Sequence, residues 1–323
     1  MRSKIFHLTT NKKTGMKPKA LITAPCHTWL IDKLEETFTV DFQPAISYDE
    51  LKNIAGNYEG FIVTTRLKID QPIIDASGQL KWIGRLGSGL ELIDVAYAES
   101  KNIKVVSSPE GNRLSVAEHT VGLALNLFHI INQSANEVKQ LQWIRDVKRS
   151  NELTGKTVGI IGFGNTGSEF ARLLEPFKVT VLAYDKYKTG FGNHYIKEAD
   201  LEEIFNEADL VSMHIPLTSE THYFADSAFF NRFKKQPYFI TTCRGKVTNG
   251  ADLLAALQNN QLAGAALDVI ENEKLSSLTP DQEVIFNGLL ALPNVIITPH
   301  IAGYSNDAFY KMATVTYQKL NIS

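Results

Sequence analysis

Several things that define whole classes of protein are scarce or missing in this chain. Its 323 residues include two cysteines, Cys26 and Cys243, far apart and in no metal-ligand spacing. That excludes a disulfide framework and a structural zinc site, so both are expected to be thiols in a reducing compartment and no metal is expected. No run of one charge sign occurs either. The 33 basic and 35 acidic residues balance to a formal net charge of −2, without the electrostatic footprint of a nucleic-acid or anionic-membrane partner. No stretch approaches the roughly 18 uninterrupted apolar residues of a membrane span, and the first residues lack the apolar core of a signal peptide. Repeats and low-complexity segments are absent. The expectation is a cytoplasmic globular protein whose partner is a small dissolved molecule.

What is present is apolar material, 44% of residues, enough for two domains of about 100 to 200 residues each. Residues 1–15 are polar and basic and read as an extension or the product of an upstream start codon. Between Gly155 and His300, short apolar runs alternate with amphipathic stretches, the signature of β-α-β units and a parallel sheet. Six runs read as buried strands: 158–161, 179–184, 210–213, 239–242, 265–267 and 295–297. Four earlier ones, at 21–23, 61–64, 82–86 and 105–106, suggest a smaller α/β domain. Ser115 to Ile131 reads as a long helix, with Ser115 as N-cap and Glu118 three residues on. Ser305 to Leu320 reads as a final helix that folds back on the first domain.

The first of the six strands runs into Gly162-Phe163-Gly164-Asn165-Thr166-Gly167 and then a helix over 168–174. A bare G-x-G-x-x-G is weak, but strand before and helix after is the context that binds a dinucleotide. Gly162 allows the tight turn, Gly164 lets backbone approach a pyrophosphate, and Gly167 lets helix and strand pack closely. Asp185 ends the second strand 18 residues past Gly167, where a carboxylate accepts ribose hydroxyls and repels a 2'-phosphate. NAD is therefore expected over NADP, although Lys186 and Lys188 follow closely.

Three later strands end in residues that do chemistry: Thr242-Cys243-Arg244, then Asp268 through Glu273, then Pro299-His300. Reducing a 2-keto acid needs a carboxylate clamp, a polarised carbonyl and a proton for the new alkoxide. The planar fork of Arg244 suits the first two and keeps its charge. The imidazole of His300 suits the third, with Glu273 to hold the ring. Glu271 is the rival acid. His214 also closes a strand, but a structural or cofactor-side place suits it better than a catalytic one; His119 and His129 read as packed or interfacial.

Four ordered motifs, the glycine loop at 162–167, Thr242-Cys243-Arg244-Gly245, Gly264 to Val269 and Thr298-Pro299-His300-Ile301-Ala302-Gly303, resemble the D-isomer-specific 2-hydroxyacid dehydrogenases, the family of D-3-phosphoglycerate dehydrogenase. The resemblance covers the chain from about Met16. It implies two α/β domains, a Rossmann dinucleotide-binding domain (115–303) inserted in a smaller flavodoxin-like substrate domain (16–114 plus 304–323). It implies catalytic roles for Arg244, Glu273 and His300, and cofactor contacts from the glycine loop, Asn165, Thr166, Asp185, His214, Pro216, Thr242, Cys243 and Asp268. Asp268 is implied at the nicotinamide carboxamide. Substrate contacts fall to Ser88 and Gly89, whose amides hold the carboxylate, and to Thr65 and Arg66. Hydride transfer between NAD and C2 of a D-2-hydroxy acid or 2-keto acid follows, with D-3-phosphoglycerate among the candidates, in a homodimer formed through the long helix.

The chain departs from the family in Glu273-Lys274, where Glu-Pro is usual, and in a longer segment from Leu275 to Leu292. Serine feedback through a further regulatory domain is not expected. One other class stays open: NAD-binding corepressors resemble this family, keep the same Arg, Glu and His, and recruit protein partners.

Overall fold

The computed structural model describes residues 16–322, so the reading of residues 1–15 lies outside the described residues. The chain divides into two compact units.

The first unit takes the residues up to Leu86, then Leu92–Val106 and the chain from Thr316. Its sheet has five strands, β1 (Lys19–Ile22), β2 (Thr39–Phe42), β3 (Gly60–Val63), β4 (Trp82–Arg85) and β5 (Lys104–Ser107). The order is β2-β1-β3-β4-β5, the flavodoxin-like arrangement expected from the resemblance. Leu21, Ile22, Phe61, Ile62 and Ile83 are wholly buried, each contributing about 1.5–3 kcal/mol to the core. Trp82 packs so tightly over β3 that a Cβ on Gly60 would fall 1.9 Å from its ring.

The second unit takes Gly87–Glu91 and Ser107–Val315. Its seven parallel strands are β6 (Thr157–Ile161), β7 (Thr180–Tyr184), β8 (Ile196–Glu198), β9 (Leu210–Met213), β10 (Tyr238–Thr241), β11 (Gly264–Leu267) and β12 (Val295–Ile297). They lie in the order β12-β11-β10-β9-β6-β7-β8. The chain reverses its direction of travel across the sheet between β6 and β9, the switch point beside which such sheets bind nucleotides. Both faces are covered. Val158 and Ile160 pack on one side with Leu127, Phe128, Phe170 and Leu174, while Ile161 packs on the other with Phe205, Phe229 and Leu253. That two-sided burial explains why the inner strands read as predominantly apolar runs.

Five details differ from the sequence reading. Strands β2 and β8 were not anticipated, because Thr39-Val40-Asp41-Phe42 and Ile196-Lys197-Glu198 are part-exposed edge strands with too few apolar residues to stand out. The long helix begins at Pro109, not Ser115: Ser108 stands at the N-cap, with proline and Glu110 in the first turn. Ser115 lies inside the helix and donates to the Ala302 carbonyl at 2.7 Å. That helix ends at His129, where Ile130 turns left-handed (φ +49°) into a second helix, Ile131–Lys139. The long segment after Glu273 forms a helix of its own, Pro280–Leu290, opened by a reciprocal cap between Thr279 and Gln282. The unit boundaries fall at 106/107 and 315/316, where the sequence reading set 114/115 and 303/304. No single described helix is long and apolar enough to cross a membrane; the pair 109–129 and 131–139 passes only when joined across a 67° bend.

Candidate active site

The glycine loop leaves β6 through Gly162, whose φ of +95° suits glycine and where an added Cβ would sit 2.5 Å from the His214 carbonyl oxygen. A Cβ on Gly167 would fall 2.0 Å from the Gly162 carbonyl oxygen, so helix Asn165–Leu174 can approach the strand only with glycine there. Nothing lies within 4 Å of the Cβ position of Gly164, which leaves room for a ligand against the backbone and the unpaired amides of the first helical turn.

Asp185 follows β7. Its Oδ2 accepts from the Phe163 amide at 2.8 Å and its Oδ1 from the amides of Tyr187 and Lys188 at 2.9 and 3.1 Å, which fixes the carboxylate at the rim of the glycine loop. The neighbouring lysines are occupied. Lys186 Nζ meets Glu220 Oε2 at 2.7 Å, with the Tyr187 hydroxyl on the same oxygen, and Lys188 Nζ donates to the Phe163 carbonyl at 3.1 Å. His214 is buried after β9, between Ser212 Oγ (2.9 Å) and Thr166 Oγ1 (3.3 Å). Burial pushes its pKa down to about 3, so the ring stays neutral and ties the glycine loop to β9. Beyond it, Thr221 Oγ1 donates to the Pro216 carbonyl at 2.6 Å. At the end of β10 the buried Thr242 hydroxyl has no hydrogen-bond partner among the described residues, and burial raises the pKa of the Cys243 thiol beside it. An open glycine, a fixed carboxylate and an orphaned hydroxyl along the carboxyl edge of one sheet suit a dinucleotide.

Arg244, Glu273 and His300 follow β10, β11 and β12, three neighbouring strands. His300 Nδ1 lies 2.9 Å from Glu273 Oε2, and both side chains remain reachable, 41% and 45% exposed. Glu271 is turned elsewhere: its Oε2 accepts from the Tyr223 hydroxyl and its Oε1 from the Gly250 amide, both at 2.7 Å. The first of these bonds pushes the Tyr223 phenol up to about 12. Of the two acids, Glu273 is the one that meets the histidine.

Asp268 organises the turn that presents His300. Its carboxylate accepts from the amides of Ile301 and Ala302 at 2.9 Å and from Thr298 Oγ1 at 2.6 Å, and its carbonyl accepts from the His300 amide at 2.8 Å. His119 of the long helix reaches the same cluster, 3.2 Å from Thr298 Oγ1 and 3.6 Å from Asp268 Oδ1. The sequence reading gave it a packed or interfacial place.

The segment Gly87–Glu91 belongs to the same unit. The Gly87 amide donates to Ser108 Oγ at 2.9 Å and Ser88 Oγ to Asn112 Oδ1 at 3.0 Å, which pins the loop to the long helix. Arg244 Nε donates to Glu91 Oε1 at 2.8 Å, a contact the sequence reading missed. Thr65 and Arg66 lie in the first unit after β3, where Arg66 Nε and Nη2 both donate to the Thr23 carbonyl, at 3.2 and 2.8 Å.

Residues 121–302 match the model of the D-isomer specific 2-hydroxyacid dehydrogenase, NAD binding domain. The chain is 34% identical over 293 residues to the D-3-phosphoglycerate dehydrogenase of Archaeoglobus fulgidus, covering 90% of this chain and 54% of that one. It is 33% identical over 274 residues to the hydroxypyruvate reductase of Thermotoga maritima, covering 84% and 87%. The chain belongs to the D-isomer-specific 2-hydroxyacid dehydrogenase family. The resemblance read from the four motifs holds, and the dinucleotide of this family's binding domain is NAD. Among solved structures, the D-lactate dehydrogenase of Aquifex aeolicus, crystallised with NAD and lactic acid, superposes with a TM-score of 0.80 at 28% identity over 93% of this chain and 94% of that one. The chain spans about half the length of the curated D-3-phosphoglycerate dehydrogenases it matches.

Proposed function

We propose that this family member reduces small 2-keto acids, and oxidises the corresponding D-2-hydroxy acids, with NAD. The observation that carries the reading is the His300–Glu273 pair at 2.9 Å, on the strand end next to the one that carries Arg244. NAD, when bound, supplies or accepts the hydride at C2. Glu273 holds His300 through Nδ1, leaving Nε2 to give a proton to the C2 oxygen in reduction and to take it back in oxidation. Arg244 and the amides of Ser88 and Gly89 hold the carboxylate and polarise the C2 carbonyl. Asp268, Thr242, Cys243, His214 and Pro216 line the cofactor.

Glyoxylate, hydroxypyruvate and 3-phosphohydroxypyruvate are the candidate acids. The test is NADH oxidation against a panel of 2-keto acids including the phosphorylated one. NADH binding with no turnover of any member would favour a corepressor-like binding module instead.

Asp185 sets the dinucleotide preference in this reading. Asp185→Ser is expected to narrow the NAD over NADP preference about tenfold in titrations of both cofactors, since it removes the charge opposed to a 2'-phosphate. A parent that bound NADPH better than NADH would contradict the assignment.

The protein is proposed to be a cytoplasmic homodimer. The dimer is supported by Leu141, Trp143 and Val147 after the second helix, 96%, 85% and 82% exposed, large apolar side chains close in sequence that a second copy would cover. The cytoplasmic setting is supported by two free cysteines, one buried and one half-buried. Trp143→Glu is expected to convert a sedimenting dimer into a monomer. A parent that sediments as a monomer removes the proposal.

A further inference from the structure

The loop read as a carboxylate binder also carries an acid. Glu91 Oε1 accepts a hydrogen bond from Arg244 Nε at 2.8 Å, and the two side chains are only 34% and 26% exposed. On the other side Arg244 Nη1 donates to the Cys243 carbonyl at 2.7 Å. Two of the three guanidinium nitrogens are therefore held by groups from different parts of the chain, and the plane cannot turn without breaking one contact. Nη2 is left with no hydrogen bond among the described residues. Gly89 makes the approach possible: a Cβ there would lie 2.1 Å from Arg244 Nη2 and 2.1 Å from Glu91 Oε2. The loop thus has a small residue where the guanidinium passes and an acid where it must stop.

We propose that Glu91 is a positioning residue for Arg244. It fixes the guanidinium so that the open Nη2 edge faces the carboxylate and C2 oxygen of the substrate, an arrangement otherwise lost to the rotamers of a long side chain. This rests on the reading that Arg244 binds the keto acid. It differs from a purely structural role in what it moves: keto-acid binding and not cofactor binding. It also differs from a competing role, in which Glu91 would occupy the edge that the substrate needs and its loss would tighten binding.

The test uses Glu91→Ala, Glu91→Gln and Glu91→Asp. Three measurements are made: steady-state kinetics with glyoxylate and NADH, NADH affinity by fluorescence titration, and the rate of phenylglyoxal modification of Arg244 followed by peptide mass. Glu91→Ala is expected to raise KM for glyoxylate about tenfold, with a smaller fall in kcat and NADH affinity within about twofold. Glu91→Asp should recover part of the loss, and Arg244 should react at least about threefold faster in the Ala variant, with the other arginines as internal references. A glyoxylate KM within about twofold of the parent in both the Ala and Gln variants overturns the proposal, as does a lower KM. If the Ala variant fails to fold, the isosteric Gln variant decides by the same limits. A parent that reduces no keto acid sinks the functional reading, and the pairing then stands or falls on the modification rate: equal rates overturn it, a faster rate supports it.

Discussion

His300→Asn is expected to lower kcat by roughly 10²–10⁴-fold, the range for removal of a general acid-base, while NADH affinity stays within about twofold. Asparagine is the informative replacement because of the backbone. His300 sits at φ +55°, a left-handed conformation that costs an ordinary residue about 1–2 kcal/mol and that asparagine adopts more readily than most. The turn is held by the buried Asp268, whose carboxylate takes two amides and the Thr298 hydroxyl and whose carbonyl takes the His300 amide. None of these bonds involves the His300 side chain. The variant should keep the turn and lose the imidazole, so its defect belongs to proton transfer. Near-normal turnover would remove His300 from the mechanism. An NADH affinity that fell as far as kcat would mean that the turn had collapsed.

Much of the site could be read before the structure because the physics that makes it is local. The glycine loop works through three backbone requirements five residues apart at most, and each has its counterpart in a positive φ, a close approach or an open space. The central strands were legible because burial on both faces leaves them mostly apolar, and edge strands β2 and β8 were not, because exposure lets them be polar. The start of the long helix was misplaced because Ser115 and Glu118 imitate a capping pair, while the working signal is Pro109 and Glu110. Ambiguity grew where partners are distant in sequence. Glu271 and Glu273 are two residues apart and chemically alike; what separates them is that Tyr223 and Gly250, 48 and 21 residues away, engage the first. Glu91 was out of reach for the same reason, since 153 residues separate it from Arg244.

Arg244→Lys is expected to be nearly as damaging as Arg244→Ala, with kcat/KM for the keto acid reduced roughly 10²–10³-fold in both, the range for loss of one preorganised donor at a developing oxyanion. The charge alone is insufficient because the guanidinium is used on three sides. Nε is on Glu91, Nη1 is on the Cys243 carbonyl, and Nη2 is the nitrogen left for substrate. A lysine ammonium offers one nitrogen on a flexible stem. It can stay with Glu91 or turn toward the substrate, but it cannot meet Glu91, the Cys243 carbonyl and the substrate at once as the planar guanidinium does. The carboxylate of Glu91 then competes directly with that of the substrate for a single cation, so the lysine variant gains little from its charge. NADH affinity should change by no more than about twofold, because the glycine loop, Asp185 and the His214 bridge are untouched. A lysine variant that retained kcat/KM within about threefold of the parent would show that a point charge suffices, and the clamp would have to be sought elsewhere in the site.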